Sequence, residues 1–267
     1  MKPSKIRTYF LISALLGVGL LSGVYALQQR NLENLSSVSS QQTLESQTSI
    51  SGLTAEQISL SQTVQAQIVS QELQQNSQNL DQLYQEAAIA DLELQKIANE
   101  LATLTEGTVV LPPGGLKGRK RAEEKIQLEY NNDASRITDL ARLSIEYETL
   151  KQLYEALKFS PESFEIVRIK DRFIKPTPGG YRDILLNVKL SNQHIAEVQL
   201  TLKSINEVRF GEGFKLYQQV RQILNLAQLE NRELTTTELQ KIDELNDRSQ
   251  KLYDAALLAQ PANDIKQ

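Results

Sequence analysis

Apolar residues recur at alternating steps of three and four from Leu80: Leu80, Leu83, Ala87, Ala90, Leu94, Ile97, Leu101 and Leu104. That spacing predicts a helix with one apolar stripe. The stripe has two readings. It is the seam of a coiled coil, making a homo-oligomer through the 80–104 helix, or it is one helix laid on the domain that follows. Two alanines and a short run favour the second. The upstream continuation through Ala66, Val69, Leu73 and Asn76 is weaker. Past residue 180 the period falls to two. Ile184, Leu186, Val188 and Leu190 form one face of a strand. Ala196, Val198, Leu200 and Leu202 form one face of the next, with Ile195, Glu197, Gln199 and Thr201 on the other.

The remaining elements follow from local signals. Thr54-Ala55-Glu56-Gln57, Ser204-Ile205-Asn206-Glu207 and Thr235-Thr236-Thr237-Glu238 have the capping-box form and predict three helix starts. Gly211 and Gly213 should interrupt the second helix. The third carries Leu239, Ile242, Leu245 and Leu252 as its stripe, and Pro261 ends it. Gly107 to Gly115, with Pro112-Pro113-Gly114-Gly115, reads as a loop. Leu116 to Tyr130 reads as a helix with a basic first half, Leu143 to Tyr147 as a strand and Leu150 to Leu157 as a short helix. Phe164 to Lys170 is a strand with Phe164, Ile166 and Arg168 on one side and Val167 and Ile169 on the other. Phe173 to Gly180 is a loop. This order predicts an α/β (α+β) fold, a mixed sheet with helices packed on it.

At the amino terminus, Lys2, Lys5 and Arg7 precede an uncharged run from Tyr9 to Leu27. Residues 1–27 therefore read as a signal peptide, with Val24 and Ala26 suited to cleavage after Ala26, or as a membrane anchor. Both readings send the remainder across the membrane, so the expected location is exported, periplasmic or secreted, or membrane-anchored, with membrane contact only through this segment. An anchor of reversed topology would instead leave the domain in the cytoplasm. Residues 28–52 are a polar Ser/Gln-rich linker, 53–106 a helical region, 107–230 the α/β domain and 231–267 a C-terminal helix and tail.

Composition changes this picture by exclusion. The formal net charge of −4 argues against non-specific nucleic-acid binding, although Lys117, Arg119, Lys120, Arg121 and Lys125 form a local basic cluster. The absence of Cys excludes disulfides, cysteine nucleophiles, zinc fingers and lipidation on Cys. A single His cannot build a His cluster, and His194, beside Ser191-Asn192, reads as a solvated strand start.

Two acids stand out. Glu197 interrupts an apolar strand, which is expensive unless the carboxylate is solvated or paired. It reads as a metal ligand or general base, or alternatively as part of an exposed edge face. Asp139 precedes a strand, after Arg136-Ile137-Thr138. Carboxylates on two strands can converge on one Mg²⁺. The helix beginning Lys117-Gly118-Arg119 would then offset the charge of a triphosphate, and Tyr181, after Gly179-Gly180, could lie flat against a base.

The order Leu116-Lys117-Gly118-Arg119 with Lys125, Ile137-Thr138-Asp139-Leu140-Ala141-Arg142, Lys170-Asp171-Arg172-Phe173, Gly180-Tyr181-Arg182 and Glu197-Val198-Gln199-Leu200 resembles the RelA/SpoT-type alarmone synthetase domain. The resemblance spans roughly residues 80–221. It implies a nucleotidyltransferase-like mixed β-sheet flanked by helices, and transfer of a pyrophosphoryl group from ATP to the 3′-hydroxyl of a nucleotide or RNA acceptor with Mg²⁺. Carried over by position, Asp139 and Glu197 are catalytic and bind the metal. Lys117, Arg119, Lys125, Tyr181, Arg182 and Gln199 bind substrate. The chain departs from the family where Asp-x-x-Gly-x-Arg becomes Asp139-Leu140-Ala141-Arg142-Leu143-Ser144, and where Gly-Tyr-Arg-Ser-Leu-His becomes Gly180-Tyr181-Arg182-Asp183-Ile184-Leu185. It therefore reads as a divergent member. The alternative is a catalytically degenerate synthetase fold, exported as a nucleotide-binding or protein-interaction module.

Overall fold

The computed structural model describes residues 52–68 and 73–260. The leader, almost all of the linker and Pro261 lie outside the described residues, and no described helix is long and apolar enough to cross a membrane. Among the described residues the order is α1 (Ala55–Gln67), α2 (Leu80–Leu104), β1 (Thr108–Val110), α3 (Arg119–Glu129), a 3₁₀ turn (Ala134–Arg136), β2 (Arg142–Tyr147), α4 (Leu150–Ser163), β3 (Glu165–Asp171), β4 (Ile184–Lys189), β5 (Ile195–Leu202), α5 (Lys203–Phe210), α6 (Glu212–Leu229) and α7 (Thr236–Leu258). The sheet order is β1-β2-β5-β4-β3. β2 and β5 run parallel and the other neighbours antiparallel. This is the expected mixed α/β sheet flanked by helices.

The local signals explain most of the boundaries. Thr54 and Thr235 close complete capping boxes with Gln57 and Glu238, and Thr149 with Gln152 closes a further one that starts α4. The box expected at Ser204 does not form. The chain turns helical at Lys203, straight out of β5, and the cap position falls on Leu202 without a side-chain bond. The predicted interruption is real, for α5 ends at Gly211 and α6 begins after it. β1 stands where the sequence predicts a loop. Gly107 permits it, because a Cβ there would lie 2.6 Å from the Tyr147 ring.

Most of the apolar stripe of α2 is covered by the chain's own core, with Ile97 partly buried and Leu104 exposed at the end of the helix. Leu83, Ala87, Ala90, Leu94, Ala98 and Leu101 are buried, and α2 packs on α4, β2 and β5. Burying each leucine is worth about 2 kcal/mol, and no second copy is needed to supply it. The segment leading into α2 is pinned by Gln75, whose side chain imitates a strand. Its Nε2 donates to the carbonyls of Ile137 and Ile195, and its Oε1 accepts from Ile195 N–H, all at 2.9 Å.

Pairing register makes the sheet two-faced. Leu143, Ile145, Val198, Leu200, Ile184, Leu186 and Val188 share the face that meets α2 and α4. Simple alternation would put Ile166 and Arg168 on one side of β3. The register shifts between them, so Ile166 opposes Val188 while Arg168 opposes Asn187. The bulge sends the apolar residue to the core and the arginine to the opposite face.

His194 corrects the solvated reading. It is 1% exposed in the β4–β5 turn. Neither ring nitrogen has a hydrogen-bond partner, and a Glu86 carboxylate oxygen lies 4.0 Å from Nδ1. Burial pushes the imidazole down from its ordinary 6.5 to about 4, against the smaller opposing pull of Glu86. The unfolded chain therefore takes a proton below pH 6.5 that the folded chain refuses until about pH 4. Stability should fall by about 3 kcal/mol across that window. His194→Leu should lose that much less between pH 7 and pH 4 in urea titrations. Equal losses in both proteins would overturn this assignment.

Candidate functional site

The face of the sheet turned away from α2 and α4 carries its polar residues in rows. One row runs Arg142, Glu197, Asn187 and Arg168 across β2, β5, β4 and β3. The next runs Ser144, Gln199, Leu185 and Lys170. At its end Arg172 N–H donates to the Asp183 carbonyl, extending the antiparallel pairing of β3 and β4 beyond the strands. Cross-strand partners present their side chains to the same side. Strand register alone thus gathers Glu197 and Gln199 with cations from β2 and β3.

Asp139 stands just before β2, at the end of this face. Its Oδ2 accepts from Lys117 Nζ and Lys125 Nζ, both at 2.9 Å, with Arg142 at 3.8 Å. Lys117 is held by its own backbone, N–H donating to the Leu140 carbonyl, and its carbonyl accepts from the Tyr84 hydroxyl of α2. Burial alone would raise the Asp139 carboxyl, but Lys125 and Lys117 outweigh it and hold it at about 2. The acid is therefore ionised at any ordinary pH.

Glu197 has the opposite environment. Burial raises its pKa, the negative charge of Asp139 raises it further, and Lys125 offsets only part of this. One carboxylate oxygen accepts from Gln199 Nε2 at 2.8 Å. Behind it, Arg168 donates to Asn187, which donates to Thr138. Two interacting acids whose environments push their pKa values apart are the usual make-up of a site that holds a cation and moves a proton.

The residues present suit a divalent metal. Asp139 Oδ1 is buried without a hydrogen-bond partner, so one lone-pair oxygen is uncommitted. Among the described residues no three His, Asp or Glu side chains gather around one point. Two protein carboxylates, with substrate phosphates and water completing the shell, is a donor set typical of Mg²⁺.

Tyr181 lies beside this cluster. Its hydroxyl donates to Asp183 at 2.9 Å, and Asp183 is paired with Arg172 at 2.6 Å. Its ring meets Tyr253 of α7 edge-on, with centroids 5.5 Å apart. The preceding Gly180 has φ +81°, and a Cβ there would lie 2.7 Å from Gln250 Cα. Only glycine lets α7 approach this closely. Arg182 is not brought to the acids. It is buried under α7, donating to the Gly180 carbonyl and pairing with Asp254 at 2.8 Å. Arg119 is half-exposed at the start of α3, paired with Asp81 and Glu123 and stacked on Tyr84.

The sequence reading did not single out Arg168, Lys170 or Arg172 as site residues. Their signal is period-two charge, two cations at alternate positions of β3 and a third just past its end, and the bulge between Ile166 and Arg168 obscured it. Arg209 carried no signal. It reaches the site only because α5 folds back over β2 and β5.

The two acids should respond oppositely to neutralisation. Asp139→Asn leaves two largely buried lysines without their shared partner and should cost about 3 kcal/mol. Glu197→Gln removes a carboxylate that the fold disfavours in its ionised form, and should be neutral or slightly stabilising at pH 7. Urea denaturation of both variants checks this. Equal destabilisation would show that the site does not distinguish them.

No family model matches the sequence, and no curated protein matches it. Solved structures do. The type VI effector Tas1, in complex with its immunity protein, matches 68% of this chain over 98% of its own, at 21% identity and a TM-score of 0.52. The small alarmone synthetase 2 from Bacillus subtilis matches 65% of this chain over 95% of its own, at 17% identity and a TM-score of 0.42. The small alarmone synthetase 1 from the same organism, bound to its product pppGpp, matches 64% over 90%, at 16% identity and 0.43. At such identities the likeness is one of fold, and Tas1 carries it. The described residues share the mixed-sheet fold of that effector.

Proposed function

We propose that this protein is a pyrophosphotransferase that moves the terminal pyrophosphoryl group of ATP to the 3′-hydroxyl of a nucleotide or RNA acceptor. The observation that carries the reading is Asp139 Oδ1, buried and uncommitted, beside a Glu197 of raised pKa on a face ringed by cations. Asp139 and Glu197 would hold Mg²⁺. Its chemistry when bound is charge neutralisation on the phosphate oxygens.

The protein's own groups account for the rest. Lys117, Lys125 and Arg142 lie around Asp139, Arg168 and Lys170 lie on β3, and Arg172 lies just past its end. Together they suit a triphosphate whose negative charge shifts during transfer. Arg119, at the start of α3, is paired with Asp81 and Glu123, and it would reach a phosphate only by exchanging those partners. Tyr181 offers a ring for the acceptor base. The acceptor oxygen forms a bond to the β-phosphorus, the bond between that phosphorus and the α-phosphate oxygen breaks, and AMP leaves. Glu197 takes the hydroxyl proton. Its raised pKa suits this role better than that of Asp139 does.

The amino-terminal segment supports delivery across a membrane. The same fold occurs in a type VI effector that was solved with its immunity protein. On this reading the reaction would run in a recipient cell, where ATP is available. A topology reporter fused at the carboxyl terminus should report the far side of the membrane.

A second reading, a nucleotide-binding module without turnover, rests on Leu185, which puts an apolar side chain in the polar row between Gln199 and Lys170. One experiment separates the two. The full chain is incubated with Mg-ATP and GDP, GTP, AMP, ATP or tRNA, and products are resolved by anion exchange. A pyrophosphorylated product is expected with at least one acceptor, and Glu197→Gln should slow its formation on the order of 10²–10⁴-fold. Folded protein that binds ATP yet forms no product with any acceptor sides with the second reading.

A further inference from the structure

One cation in the site comes from a place the motif order does not indicate. Arg209 sits in the last turn of α5 and leans over β2 and β5. Its NH1 donates to Gln199 Oε1 at 2.6 Å, to Asn206 Oδ1 at 3.4 Å and to Ser144 Oγ at 3.5 Å. Its guanidinium lies 5.7 Å from the centroid of Tyr181 and 5.6 Å from that of Phe210. All three acceptors are neutral. Most other cations of this face have an acid: Lys117 and Lys125 share Asp139, and Arg172 holds Asp183. The charge of Arg209 is thus positioned but not neutralised, and Nε and NH2 make no hydrogen bond among the described residues. A guanidinium fixed in this way is preorganised for an anion.

Its location gives the fact meaning. Ser144 and Gln199 are register partners in adjacent strands, one step along the sheet from Arg142 and Glu197. Position 144 is where the Asp-x-x-Gly-x-Arg pattern would carry an arginine and this chain carries serine. From the last turn of α5, Arg209 sets its guanidinium against that serine. Asn206, one turn earlier, ties the same helix to Glu146 of β2, so α5 is braced against the strand that it serves.

We infer that Arg209 is a substrate-binding residue that contacts a phosphate of the bound nucleotide, and that α5 supplies the guanidinium for which β2 provides only Ser144. This rests on the pyrophosphotransferase reading for the identity of the ligand. It adds a residue, its position in the fold and the part of the nucleotide that it touches.

Binding separates this inference from turnover. Isothermal titration calorimetry of the full chain with ATP and with adenosine gives a phosphate-dependent affinity ratio. Arg209→Ala should weaken ATP about tenfold or more while leaving adenosine within about twofold, as expected for loss of one charge-assisted phosphate contact. Arg209→Lys, which keeps the charge but not the fork, should recover only part of the loss. Ser144→Arg combined with Arg209→Ala should restore ATP affinity by returning the guanidinium from the strand side. Thermal melting of each variant confirms folding. Wild-type protein that binds ATP no better than Arg209→Ala does, or a double variant no better than Arg209→Ala alone, overturns the inference and leaves the pyrophosphotransferase reading standing. Wild-type protein that binds no ATP overturns both.

Discussion

The pairing register of β2, β5, β4 and β3 is the constraint on which the rest depends. Successive strand residues point to opposite faces, so a slip of one position exchanges those faces completely. In β5 it would drive Glu197 and Gln199 into the layer beneath α2 and α4, and push Val198 and Leu200 into the cation ring. Leu200 and Val198 are fully buried, and exposing either would cost about 2 kcal/mol. The apolar face thus holds the register, and the register assembles the polar face. Strand pairing gathers Glu197, Gln199 and the cations of β3, and helices supply Lys125, Arg209 and the support of Tyr181.

On that face the electrostatics are asymmetric by construction. Asp139 has two lysines on a single oxygen, so its charge is fixed before any ligand arrives. Glu197 has an amide, a row of strand neighbours and a nearby like charge, so its proton is easily held. A cation shared between them would favour ionisation of Glu197.

The fold was legible because its periods are clean. The stripe from Leu83 to Leu101 and the alternation in β4 and β5 reflect burial directly, and each has its predicted face in the core. Two of the capping boxes began helices as written. The failures are local and physical. β1 is only Thr108–Val110, too short for any period, and depends on Gly107 clearing Tyr147. Ser204 lost its cap to a helix that begins without a turn. The His194 polarity signal was overridden by packing that buries both nitrogens unpaired. For the site, the acids were visible as charges out of place in apolar surroundings. Arg168 was concealed by a bulge, and Arg209 by the return of a helix. Arg182, adjacent to Tyr181 in sequence, is committed to Asp254 of α7 and the Gly180 carbonyl and not to the acids. Neighbourhood in a motif does not ensure neighbourhood in space.

The close approach at Gly180 bears on how the molecule is made. Asp139, Glu197 and the cations of β3 all precede residue 200, and strand pairing can bring them together as soon as β5 emerges from the ribosome. Tyr181 differs, because its loop is seated by Gln250, Tyr253 and Asp254, on the last described helix. A nascent chain therefore acquires its charged centre early and its aromatic platform late. Translation order separates the two parts of this face in time, so the growing chain holds a cation-lined sheet before the Tyr181 loop can pack on Tyr253.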